Sequence, residues 1–192
     1  MSVQQIPSVM ISEAPAVFDH QSEAVGAICR VCARQRRTCC QYHDIYVTLG
    51  DCRRIQTITR EIDFFEYRGC ADMAYADQND DPVWQQKVFR SDGSRRVLKQ
   101  KSNGDCCFLT ESGCRLALDV RPLICRLFPH YYTESGISTL WDTSCPITGQ
   151  LPGEAIETGI AGVRRSEAER WHRLLYTEIQ WEGQADENRI DL

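Results

Sequence analysis

The chain carries 11 cysteines, and most of them fall into two boxes whose spacing suits metal chemistry. The first box is Cys29-x-x-Cys32 followed by the adjacent pair Cys39-Cys40. The second runs Cys106-x-Phe108-Leu109, then Cys114, then Arg121-Pro122-x-x-Cys125-Arg126-x-Phe128-Pro129, and Cys145-Pro146 closes it. Thiolates are soft ligands for zinc or iron–sulfur centres, and a C-x-x-C pair on a tight turn aims both sulfurs at one ion. The candidate metal ligands are therefore Cys29, Cys32, Cys39, Cys40, Cys106, Cys114, Cys125 and Cys145.

A disulfide scaffold and buried free thiols are the rival uses of these residues. Disulfides need an oxidising compartment, which usually implies a secretory signal. Met1 to Ser12 contains no basic residue and no unbroken apolar run, so no such signal is read. No later stretch approaches the roughly 20 apolar residues that span a bilayer. An odd cysteine count also fits paired bridges poorly. The expectation is a cytoplasmic protein, off the membrane, whose thiols hold a metal.

Within the boxes, adjacent cysteines are hard to place on one small ion. Neighbouring side chains point to opposite faces of an extended chain and diverge by about 100° on a helix. Cys39 and Cys40 therefore serve two centres, or one ligates while the other stands behind it. Eight thiolates allow two four-coordinate sites, or one site with spare thiols. In the second box Gly104-Asp105 turns the chain into Cys106, Gly113 permits the turn that returns Cys114, and Pro122 fits a helix start that presents Cys125. Pro129 stops that helix. Arg121 and Arg126 are candidate cofactor-binding residues that donate toward a thiolate or a bound anion, with salt bridges to Asp119 or Glu111 as the plainer alternative. Cys52 and Cys70 read as buried structural thiols, and Cys107 has no assigned role. Among His20, His43, His130 and His172, His130 is the best further ligand, although a core or surface role suits each of them better.

The elements that must position these residues point to an α+β fold: one small domain of short helices and hairpins organised around a cysteine-ligated metal centre, with a C-terminal amphipathic helix. Residues 1–21 read as a flexible segment, 22–182 as the cysteine-cluster domain and 183–192 as a disordered acidic tail. A short helix is expected from Ser22 to Arg34. Thr48-x-x-Asp51 resembles a capping box opening a helix to about Ile62, supported by Ile55 and Ile58. Phe64, Phe65, Tyr67 and Tyr75 are expected to pack on the core. One hairpin is expected between Val83–Arg90 and Arg95–Lys101 about the turn Ser91-Asp92-Gly93-Ser94. A second is expected around Glu134-Ser135-Gly136, between Tyr131-Tyr132 and Ile137–Trp141. Residues 149–162 read as a loop. Ser166-x-x-Glu169 reads as a capping box, and Ala168, Trp171, Leu174, Leu175 and Ile179 form a helical core stripe running to Trp181.

The net charge of −5 excludes the global basic field of a general nucleic-acid binder. All but three of the 22 basic residues (Lys87, Lys99 and Lys101) are arginines. Arg30, Arg34, Arg36 and Arg37 lie inside the first box, where offsetting thiolate charge explains them better than RNA contact does. A nucleic-acid partner is not expected; a protein partner or substrate is left open.

On these residues the chain resembles the bacterial CxxCxxCC family of zinc- or iron-chelating cysteine-cluster proteins. The resemblance spans Cys29 to Pro146, and Cys106-x-Phe-Leu, Gly113-Cys114 and Arg121-Pro-x-x-Cys-Arg-x-Phe-Pro129 look like that family's C-terminal signature. The first box departs from it, because Ala33 to Thr38 separate Cys32 from Cys39 where the compact form has only two or three residues. The resemblance implies a metal or iron–sulfur centre and no single reaction. The same pattern is similar to that of the larger flagellin lysine N-methylases, thought to couple an iron–sulfur centre to S-adenosylmethionine. No G-x-G-x-x-G loop follows an expected strand here.

Three functions are expected in order. The first is a cysteine-cluster protein with an accessory or redox role, binding an iron–sulfur cluster (4Fe-4S favoured) or zinc. The second is an iron–sulfur-dependent, methyltransferase-like enzyme, and the third a structural zinc module that binds RNA or protein. Iron–sulfur is favoured because the patterned cysteines exceed what one zinc needs and few histidines accompany them. Phe108, Leu109, Leu123 and Phe128 would supply an apolar shell.

Overall fold

The computed structural model describes residues 32–34, 39–70, 80–142, 145 and 164–190. The expectations for Cys29, for most of the helix at Ser22–Arg34, for Tyr75, and for the segments 1–21 and 149–162 lie outside the described residues. The rest is an α+β arrangement of helices and short antiparallel hairpins, in the order α1 (Cys39–Tyr42), α2 (Leu49–Thr59), β1 (Phe65–Gly69), α3 (Pro82–Lys87), β2 (Ser94–Leu98), β3 (Leu109–Thr110), β4 (Gly113–Cys114), α4 (Leu123–Leu127), β5 (His130–Thr133), β6 (Gly136–Trp141) and α5 (Arg165–Ile190). Among the described residues no helix is long and apolar enough to cross a membrane.

Helix α2 begins at the expected capping box. The Thr48 side chain accepts from the Asp51 N–H at 2.9 Å, and the Asp51 carboxylate accepts from the Thr48 N–H at 3.2 Å. It ends at Thr59, earlier than the sequence suggests, because Arg60 turns left-handed (φ 63°) and returns its N–H to the Gln56 carbonyl. Ile58 and Ile62, expected to extend it, are 66% and 71% exposed. The buried face is Asp51, Cys52 and Ile55.

The first expected hairpin is corrected. Val83–Arg90 is not a strand: Pro82–Lys87 is helical. Asp81 accepts from the Trp84 N–H at 3.0 Å and Pro82 occupies the first turn, a start signal stronger than the loose alternation that suggested a strand. Strand β2 instead pairs antiparallel with β1, Phe65 facing Leu98 and Gly69 facing Ser94. On its other side Val97 bridges to Tyr46. The second expected hairpin is present, with Thr133 facing Gly136 and Gly136 at φ 145° in the turn.

In α5, Ala168, Trp171, Leu175 and Ile179 are buried as the stripe requires. Leu174 is 37% exposed, since it sits about 100° round the helix from Leu175. Ser166 lies inside the helix, which opens with bonds to the Arg164 carbonyl and an Arg165–Glu169 ion pair at 3.1 Å. The helix continues past Gly183 to Ile190.

Two apolar clusters form the core among the described residues. One joins Trp84, Val88, Leu123 and Leu127 to the buried stripe of α5. The other gathers Val47, Ile55, Phe64, Leu98, Phe108, Leu116 and Val120, and Cys40, Cys107, Cys114 and Cys125 pack against it. Ile124 touches both clusters. The thiols thus rest on a core of their own, apart from the long helix.

Candidate metal centre

Backbone bonds bring the two cysteine boxes together. The chain beyond β2 pairs with the segment that returns to it: Gln100 bridges Cys106, and Cys107 donates its N–H to the Lys99 carbonyl at 3.0 Å. Gly104, left-handed at φ 84°, makes that return tight. Cys106 then donates its N–H to the Cys40 carbonyl at 2.8 Å. The first box is thereby sewn to the second. Gly113 (φ 96°) turns the β3–β4 hairpin and brings Cys114 opposite Leu109.

Cys125 is placed by a carboxylate from a distant helix. Asp51, fully buried, accepts the Leu123 N–H at 3.1 Å and the Arg54 guanidinium at 2.6 Å. One carboxylate therefore caps α2 and also holds the opening turn of α4. Glu178 secures the same arch from α5, meeting Arg54 at 2.6 and 3.0 Å and accepting the Thr48 hydroxyl. Gly50 permits that approach, because a Cβ there would overlap the Glu178 carboxyl.

The sulfurs interact with one another. Cys106 Sγ accepts the Phe108 N–H at 3.5 Å, with the Cys107 and Cys40 thiols and the Leu109 N–H as further donors acting on it, and the Cys107 thiol also meets the Phe64 carbonyl at 3.6 Å. These donors, the Cys107 thiol foremost, hold the Cys106 thiol down to about 3. The Cys40 thiol likewise stabilises the thiolate of Cys39, lowering its pKa. Donation has the opposite effect on the donors, so Cys40 and Cys107 are both pushed up. Burial raises Cys125 first, and the charges of Cys39, Cys106 and Cys114 add to it. A bound cation would reverse that repulsion, since metals deprotonate the thiols that ligate them.

Of the cysteines selected from the sequence, these interactions join Cys39, Cys40, Cys106, Cys114 and Cys125, and they add Cys107. Cys32 and Cys145 are both buried, Cys32 in residues 32–34 and Cys145 with its N–H on the Asp142 carbonyl at 3.2 Å. The overlooked role of Cys107 had a signal in the sequence, the repetition of a vicinal pair in each box. Cys52 is buried in α2 and its thiol is pushed up to about 12 by burial, as a structural cysteine should be. Cys70 is half-buried.

Arg121 and Arg126 both bond to backbone carbonyls. Arg121 Nε donates to the Leu116 carbonyl at 3.0 Å, and Arg126 Nε to the Arg121 carbonyl at 2.7 Å. Arg126 also reaches the Asp119 carbonyl and lies 5.9 Å from the Trp171 ring. These bonds brace the loop entering α4. Burial brings the Arg126 guanidinium down to about 10.

The donor chemistry of the thiols gathered among the described residues fits zinc or an iron–sulfur cluster. Among the described residues no three His, Cys, Asp or Glu side chains are already drawn up as a metal-ligand group. Beside the thiols lies a cavity of about 370 Å³ with Cys39 and Cys125 in its wall. Comparison of the chain with family models, curated proteins and solved structures finds no match.

Proposed function

We propose that this chain is a cytoplasmic cysteine-cluster protein of the CxxCxxCC kind that binds an iron–sulfur centre, in preference to zinc, in an accessory or redox role. The observation that supports it is the meeting of two vicinal cysteine pairs from distant segments, with Cys114 and Cys125 in electrostatic reach. When bound, an iron–sulfur centre supplies one-electron chemistry, whereas zinc supplies a structural knot or a Lewis acid. The chain's own part is to hold the sulfurs, aim the Phe108 and Leu109 amides at Cys106, and exclude water with Phe64, Phe108 and Leu116. Hydrogen bonds to sulfur and an apolar shell are the means by which proteins tune such centres.

The enzyme reading is the second choice, favoured by one observation: the cavity reaches Cys39 and Cys125. A closed structural zinc site has four protein ligands and no open position, so a cavity at the sulfurs weighs against the structural module.

The test is purification without oxygen, followed by metal and sulfide analysis and a visible spectrum. A brown protein holding iron and acid-labile sulfide, bleached by dithionite, is expected. A colourless protein with stoichiometric zinc and no sulfide overturns the iron–sulfur assignment, and one with neither overturns the metal centre.

A further inference from the structure

The cavity beside the thiols has a charge pattern that selects its occupant. Its volume of about 370 Å³ lies in the range of small-ligand sites. The residues that line it include Trp84, Phe128 and Tyr132, the acidic Asp44, Asp81 and Asp142, and His43 and His130, with no lysine or arginine among the described lining residues. Asp44 is balanced from behind by Arg68 at 2.9 Å and Arg95 at 3.7 Å.

Asp81 differs. It is 2% exposed, and its carboxylate receives only neutral donors among the described residues, the Trp84 N–H and the Tyr176 hydroxyl. Asp81 therefore presents a buried carboxylate on which no cation sits among the described residues, and a positive group entering the cavity would supply that partner. Aromatic faces attract the same sign of charge. An anion would meet carboxylates and thiolates instead.

We propose that this cavity binds a small organic cation, its ammonium group toward Asp81 and its apolar body against the aromatic wall, so that it lies against Cys39 and Cys125. That the occupant adjoins a metal centre rests on the function proposed above; the preference for a cation rests on Asp81 and the rings alone.

The experiment uses three shape-matched probes, benzylamine, benzyl alcohol and benzoate, titrated into the full chain under ligand-detected NMR after its metal content has been measured. Benzylamine is expected to bind saturably and about tenfold or more tightly than benzyl alcohol, with benzoate weakest, as loss of one charge-assisted contact implies. Asp81→Asn keeps an amide oxygen to cap α3. It should weaken benzylamine by about the same factor while leaving benzyl alcohol binding and metal content unchanged. Absence of saturable benzylamine binding, equal binding of benzoate, or an unchanged benzylamine affinity in Asp81→Asn overturns the site. Metal-loaded protein that fails these tests sinks the cation site alone, and metal-free protein that passes them sinks the metal centre alone.

Discussion

At the scale of single residues, Cys106 is where the two boxes converge, since it accepts from Cys40, Cys107 and two backbone amides. On the proposed function, Cys106→Ser should strip most of the metal, because a hydroxyl oxygen is a poor substitute for a soft thiolate. Cys52→Ser is the internal control: it should keep its metal and lose about 1–2 kcal/mol for a hydroxyl buried in an apolar site. Metal analysis and urea unfolding of both proteins decide the matter, and equal metal contents would sink the ligand assignment. His130 offers a second handle. Burial, aided by the charge of Arg165, lowers its pKa, so the native state favours the neutral ring. As pH falls through roughly 6.5, the unfolded chain takes up a proton that the folded one resists, and stability is lost until pH reaches the folded value. His130→Gln removes this contribution. Wild type should therefore lose more of its urea midpoint than the variant between pH 7.5 and 5, and parallel curves would contradict the assignment.

At the scale of elements, the arch from α5 over α2 to α4 is what sets Cys125 in place. Gly50→Ala should destabilise the chain by about 1 kcal/mol, because the new methyl displaces Glu178 from Arg54 and Thr48. In a Glu178→Ala background the obstacle is gone, and alanine's better helix propensity should make the same change stabilising by up to about 1 kcal/mol. A double-mutant cycle by thermal unfolding reads that reversal of sign; additive effects would refute the clamp. This arch also shows where the sequence is legible and where it is not. Thr48-x-x-Asp51 announces α2 because a capping box is local. The second duty of Asp51, on the Leu123 N–H 72 positions away, leaves no local trace. The strand at Phe65–Gly69 was equally hidden, since its partner is fixed by tertiary pairing and not by a turn. Asp81-Pro82 is a local helix start, and the strand expected over Val83–Arg90 runs against it. The cysteine boxes were readable from spacing, whereas the thiol donors among them needed three dimensions.

At the scale of the whole molecule, the two core clusters differ in what completes them. The α3–α4–α5 cluster is closed by Trp84, Leu127 and Leu175. The other has thiols along its edge, so on the proposed function a chelator should loosen it first. Hydrogen exchange should then show faster amides across Cys106–Leu116 while α5 around Trp171–Ile179 stays protected; uniform loss across both would argue against the division. A consequence concerns the chain's synthesis. Cys106 follows Cys40 by 66 positions, so at translation rates of about 5–20 residues per second the first pair waits roughly 3–13 s for the second. Glu178, which completes the arch, follows Arg54 by 124 positions, or roughly 6–25 s at the same rates. Nascent Cys39 and Cys40 therefore spend that interval without their folded surroundings, open to whatever soft ions or oxidants the cell contains. On the proposed function, the centre would be loaded only once both boxes and the arch are in place, after the chain has left the ribosome.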